Sequence, residues 1–175
     1  DSLTQNTSLR WSLSGPSGSV VSATTLTAQG STTAAYAPLS LGPGSYRLDI
    51  DGNLATTGDY AFRLMDLSRA ASIALDGTPV TGTVTATGQQ EAFAFDGLAG
   101  DRLWLSLTTL PTGAVLRLYD PFGKVVDSSL TSSGEASVLP YNGRYTLLLD
   151  TGTSTPAGAA YAFNLRRMVA PVSAA

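Results

Sequence analysis

The side chains that could do chemistry here are mostly carboxylates. The sequence holds thirteen Asp and Glu residues, and it has no histidine and no cysteine. Without histidine there is no Ser-His-Asp triad, no Cys-His dyad and no imidazole metal ligand, and without cysteine there is no thiolate zinc site, disulfide or thiol redox couple. Three chemistries remain open: paired carboxylates acting on a glycoside, oxygen ligands for calcium, and aromatic rings stacking on a sugar. Asp49, Asp51 and Asp59, with Asn53 between them, open like a calcium loop. An EF-hand loop needs Gly at its sixth position and Glu at its twelfth. Here Gly52 is fourth and Tyr60 twelfth, so Asp51-Gly52 reads as hairpin turn chemistry. The glycine-rich calcium nonapeptide is absent.

The other acids also read as turn residues. Asp96 and Asp101 flank glycines, and Asp120-Pro121 fits a type I turn with proline at its second position. Nothing pairs two carboxylates across a cleft, so no catalytic, cofactor-binding or metal residues are assigned, no cofactor is expected, and the chain is read as not an enzyme. Trp11, Trp104, Tyr36, Tyr119, Phe122 and Tyr141 could form a sugar-stacking platform, and the competing reading is packing between neighbouring repeats. Trp104 alternates with Leu103 and Leu105 and so faces away from them. Tyr119, Phe122 and Tyr141 flank turns and are expected to be exposed. Arg166-Arg167, the one adjacent basic pair, reads as a solubilising strand end.

Charged residues make up 13% of the chain, against about 25% in an ordinary soluble domain. The net charge is −3, which leaves no electrostatic footprint for nucleic acid or anionic lipid. No apolar run approaches the roughly 18 residues of a membrane span. DSLTQNTSLRW lacks the regions of a signal peptide, so if the parent is exported its leader is expected upstream or elsewhere.

The elements that carry these residues repeat with a period of two. Tyr46, Leu48 and Ile50 alternate with Arg47 and Asp49; the same holds around Trp11 and Leu13, Tyr60-Phe62-Leu64, Phe93-Phe95, Leu103-Leu105-Leu107, Leu116-Leu118, Tyr145-Leu147-Leu149 and Tyr161-Phe163-Leu165. Each run predicts a strand with one buried face. Gly- and Asp-rich turn signals separate them at roughly 8–12-residue spacing, the pattern of an antiparallel sandwich or barrel. No segment carries a helical stripe; residues 68–73 predict one short turn at most.

Self-comparison shows a duplication in three blocks. LRWSLSGPSGSVVS (9–22) matches VLRLYDPFGKVVD (115–127), with Pro16 meeting Pro121 at a shift of 105 and Trp11 meeting Leu116, which makes Trp11 a core residue. GSYRLDID (44–51) matches GRYTLLLD (143–150) at a shift of 99, and DYAFRL (59–64) matches AYAFNL (160–165) at a shift of 101. The order is the same in both copies, and the drift reflects turns that tolerate insertions. Gly15 stands where the second copy has Asp120, so the carboxylate is dispensable for that turn. Residues 1–70 are therefore expected to be the C-terminal part of a first β-sandwich repeat. Residues 71–175 are expected to be a complete second repeat of about eight strands with a short tail.

A half sandwich exposes an apolar face and open strand edges. Three resolutions stand: the half packs on the complete repeat, another chain completes it by strand exchange, or the structural frame is permuted so that 1–108 is the whole domain.

LDGTPVTGTV followed by EAFAFDGLAGDRLWLSL resembles the opening of tandem repeats in giant exported bacterial proteins, and is similar to the bacterial pre-peptidase C-terminal domain. Gly82, Val84, Phe93, Phe95, Gly100 and Leu103 match its early elements; LYDPFGKVV (118–126) matches its Pro-x-Gly turn; Gly143, Tyr145 and Leu147 match its closing strand. The resemblance covers about 73–168 well and 9–66 in part. It implies an antiparallel jelly-roll-like β-sandwich found beside secreted proteases and in adhesin-like arrays. Some collagen-binding relatives hold calcium, but Gln90 and Glu91 stand where those have an Asp pair. The implied function is a non-catalytic structural or adhesion repeat module of a large secreted or surface protein, located outside the cell. The alternative is a carbohydrate-binding or substrate-targeting accessory domain of a secreted hydrolase or protease. The expected partners are neighbouring repeats, a second copy through the partial repeat, or a surface glycan or protein; no nucleic acid and no membrane span are expected.

Overall fold

The computed structural model describes residues 6–26, 38–52, 56–152 and 155–168, so Tyr36 and Asn53 lie outside the described residues. The protein is all-β: among the described residues there is one short 3-10 turn, Leu67–Arg69, and no α-helix. Two compact units are present. The described residues up to Met65, apart from 38–39, form the first; 38–39 and those from Asp66 onward form the second.

The first unit is a three-stranded antiparallel sheet of β1 (Asn6–Gly15), β2 (Gly18–Leu26) and β3 (Arg47–Gly52), in the order β2-β1-β3. Among its described residues the second unit has nine strands: β4 (Ala71–Ser72), β5 (Val80–Thr83), β6 (Gln90–Gly97), β7 (Arg102–Thr109), β8 (Val115–Tyr119), β9 (Val125–Leu130), β10 (Gly134–Glu135), β11 (Gly143–Asp150) and β12 (Ala160–Met168). They make a four-stranded sheet, β10-β7-β12-β5, and a five-stranded sheet, β4-β6-β11-β8-β9. The expected pairing was antiparallel throughout. Instead β4 runs parallel to β6, with Ala71 opposite Phe93, which makes the larger sheet mixed.

Alternation explains how the two sheets close. Leu103 and Leu105 of β7 and Tyr161, Phe163 and Leu165 of β12 share one buried cluster with Phe93, Phe95, Leu116, Leu118, Tyr145, Leu147 and Leu149 of the larger sheet. The arrangement is sandwich-like. Phe93 links the sheets by edge-to-face contact with Phe163, ring centres 5.2 Å apart, and Phe95 stacks on Tyr145 at 5.6 Å. Such aromatic pairs contribute about 0.5–1.5 kcal/mol each beyond the area they bury.

The two units repeat one pairing scheme. In the first, Leu13 sits opposite Leu48 and Trp11 opposite Ile50. In the second, Leu118 sits opposite Leu147 and Leu116 opposite Leu149, the same register at the shifts found in the sequence. The order β2-β1-β3 matches β9-β8-β11. Tyr46 donates its hydroxyl to the Gly42 carbonyl at 2.8 Å, and Tyr145 does the same to Tyr141 at 2.7 Å, four residues back in each case. Gly44 and Gly143 both lie at positive φ against the ring of the turn proline, Pro16 or Pro121, where a Cβ would stand 2.3 or 2.8 Å from the proline Cγ. A side chain at either position would force these turns apart.

The two units differ in burial. Leu116, Leu118, Leu147 and Leu149 are fully buried, while Trp11, Leu13, Leu48 and Ile50 are only half-buried. Trp11, expected in a core, therefore keeps part of its surface in water. The predicted strand at Tyr60-Phe62-Leu64 does not form among the named strands, and these side chains are 51%, 40% and 80% exposed. Within this segment Phe62 alone makes an isolated bridge. Its counterpart β12 is held between β7 and β5 and against Phe93, and the first unit has no such strands among its described residues.

Candidate functional site

Three turns meet at one end of the second unit. Gly97, the last residue of β6, lies opposite Gly143, the first of β11, so the turns after β6 and before β11 share that end. β8 reaches it at Tyr119, opposite Thr146. The turn after β8 is organised by Asp120. Its buried carboxylate accepts hydrogen bonds from the backbone N–H groups of Phe122 and Lys124, both at 2.8 Å, while its own N–H donates to the Lys124 carbonyl. Aspartate favours such turns because its short side chain satisfies the backbone locally. Asp120 is thereby committed to structure.

Two aromatic rings stand out from these turns. Phe122, 65% exposed, meets the exposed Tyr141 edge-to-face with ring centres 5.2 Å apart. Tyr141 is held in place from below: its N–H donates to the Tyr145 hydroxyl at 3.0 Å, and its carbonyl accepts from the same hydroxyl. Burial pushes the Tyr145 phenol up from its ordinary pKa. Asn142 ties the neighbouring turn by accepting from the Ala99 N–H at 2.7 Å, and that turn carries the exposed Leu98. Asp101 accepts from the Leu98 N–H and forms an ion pair with Arg167 at 2.9 Å. The result is an apolar tip on a hydrogen-bonded frame, with Phe122 and Tyr141 at its centre. Exposed rings on rigid turns can stack on a flat apolar or sugar surface without a large ordering cost.

The other predicted positions fall elsewhere. Tyr119 is buried rather than exposed, because β8 is an interior strand with β11 and β9 on either side; burial raises its phenol pKa. Trp104 carries Arg166 over its ring at 5.8 Å, on the face turned away from Leu103 and Leu105. Arg166 and Arg167 thus have specific partners, a ring and Asp101, beyond solubility. Asp49 pairs with Arg47 at 2.7 Å, and the Asp59 carbonyl accepts from Asn6 at 3.4 Å. Among the described residues no group of three or more acidic side chains is placed to hold a metal ion.

Two networks were not foreseen. Arg117 and Asp150 form a buried ion pair, and Asp150 also accepts from the Gly152 N–H at 3.1 Å. On β6, Glu91 accepts from the Tyr161 hydroxyl and from the Gln89 amide. Gln89 in turn accepts from the Thr85 hydroxyl at 2.7 Å. Desolvation, reinforced by Glu91, lifts the Tyr161 phenol far above its ordinary pKa. Glu91 is therefore engaged inside the protein. The partners lie 33 and 70 residues apart in sequence, too far for a local pattern to join them.

No family model matches the chain, and no curated protein matches it. Among solved structures, it is similar to the periplasmic inhibitor of g-type lysozyme PliG from Salmonella Typhimurium, at 19% identity and a TM-score of 0.46, covering 57% of this chain and 97% of that one. A mutant of the Escherichia coli PliG is similar at 16% identity and a TM-score of 0.44, with the same coverage. No helix among the described residues is long and apolar enough to cross a membrane.

Proposed function

We propose that this chain is a non-catalytic structural or adhesion module of a large exported bacterial protein, built from tandem jelly-roll-like sandwich repeats of the pre-peptidase C-terminal type. The observation that carries this reading is the common pairing register of β1–β3 and β8–β11, with the same tyrosine bond and the same proline–glycine contact in each. A unit that needs only hydrophobic alternation and turns can be copied in series without a catalytic centre. The absence of histidine and cysteine from the sequence fits such a role. Its partners are neighbouring repeats of the same polypeptide, and its place is outside the cell.

An antiserum against this chain should label intact source cells and detect a protein far larger than 18.0 kDa that is removed by protease added outside. Confinement of the signal to the cytoplasmic fraction would refute the reading.

The exposed Phe122–Tyr141 pair favours a second role, carbohydrate binding or substrate targeting for a secreted hydrolase or protease. A glycan array would reveal it as binding that Phe122→Ala abolishes while the melting temperature stays unchanged.

A further inference from the structure

We propose that the edge of β3 that has no partner among the described residues is an acceptor for one antiparallel strand of the β6 type, donated by another repeat, which completes the first unit by strand addition. The inference rests on the repeat reading above.

Among the described residues β3 is an edge strand, with β1 on one side. Its counterpart β11 has β8 on the corresponding side and β6 on the other. The second unit therefore displays what belongs at that edge. On β6, Phe95 lies opposite Tyr145, Phe93 opposite Leu147, Ala92 opposite Leu148 and Glu91 opposite Leu149. At the shift of 99 residues these positions fall on Tyr46, Leu48, Asp49 and Ile50.

Three observations among the described residues agree with a vacant place for such a strand. Leu48 and Ile50 are half-buried where Leu147 and Leu149 are closed to water. Tyr46 is half-buried where Tyr145 is fully buried. Tyr60, Phe62 and Leu64 stand exposed, whereas their counterparts Tyr161 and Phe163 pack on Phe93. The occupant is thus an extended segment with two aromatics two residues apart, the first opposite Leu48 and the second opposite Tyr46. An open edge supplies the main-chain hydrogen bonds for such addition, and alternate side-chain positions supply the selectivity.

The lack of any cysteine in the chain makes the register directly testable. Asp49→Cys places one thiol on the face of β3 turned away from Leu48 and Ile50. It is offered synthetic peptides with the sequence of residues 88–99, flanked by lysines, carrying cysteine in place of Ala92, of Glu91 or of Phe93. With dissolved oxygen as the oxidant, the Ala92 peptide should form a mixed disulfide roughly tenfold faster than the other two, because a one-residue slip turns the side chain to the opposite face. Equal rates for the three peptides, or no adduct, overturn the proposal. So does rapid disulfide formation between two Asp49→Cys chains without peptide, which would make a second copy the occupant. Cell-surface labelling is independent of these results. An acceptor that fails beside a large exported protein refutes only the strand addition, whereas an intracellular protein refutes the repeat module.

Discussion

Breaking the Arg117–Asp150 pair should destabilise the second unit far more than its single contact suggests. The Asp150 side chain is 2% exposed and that of Arg117 13%. Removing one partner of a buried pair costs about 3–5 kcal/mol, because the other charge is left desolvated. Asp150→Asn keeps an oxygen for the Gly152 N–H and leaves Arg117 some access to water, so its cost lies near the lower end, about 3 kcal/mol. Arg117→Met strands a carboxylate with almost no solvent and belongs at the upper end, about 4–5 kcal/mol. For a unit of about 100 residues, 3 kcal/mol corresponds to roughly 12 °C in Tm.

The double variant Arg117→Met/Asp150→Asn holds no buried charge and should return to within about 1–2 kcal/mol of the parent. Urea unfolding followed by circular dichroism gives all four corners of this cycle. Costs that add within about 0.5 kcal/mol would show the two residues to be energetically independent and refute the reasoning.

Three further outcomes test the rest of the fold. Leu118→Ala should cost about 3 kcal/mol, in the range for a fully buried leucine, whereas Leu13→Ala, at the same register in the half-buried sheet, should cost less than about half of that; equal losses in chemical unfolding would contradict the difference in burial. Gly82→Ala drives a Cβ to within 2.3 Å of the Tyr161 ring; it should cost about 1–3 kcal/mol as overpacking and lose its effect in a Tyr161→Ala background. Tyr119, Tyr145 and Tyr161 all have phenol pKa values raised in the folded state, chiefly by burial. Stability from them is therefore complete below pH 10 and lost as pH rises further, so absorbance at 295 nm should show these tyrosines ionising together with unfolding.

Much of this was legible in the chain itself. Period-two alternation located β1, β3, β6, β7, β8, β11 and β12, since a half-buried strand must alternate. The three repeated blocks set the correspondence that the pairing register then follows residue by residue. The Gly-x-Tyr block could be read locally because its tyrosine bonds four residues back. The candidate tip was half legible: residues beside turns are commonly exposed, and Phe122 and Tyr141 are, but the same rule failed for Tyr119. Phe122 and Tyr141 lie in the turns themselves, whereas Tyr119 is the last residue of β8 and is covered between β11 and β9; strand order is a long-range property.

Tertiary structure alone decided the rest. The parallel docking of β4, the engagement of Glu91 with Tyr161 and the burial of Asp150 beside Arg117 depend on residues brought together from far apart. Tyr60-Phe62-Leu64 shows the division most clearly. Its composition is that of β12, and in isolation the two segments call for the same strand. A strand is stabilised by the neighbours that take up its hydrogen bonds and cover its apolar face. β12 has β7, β5 and Phe93, and the earlier segment has no such neighbours among the described residues.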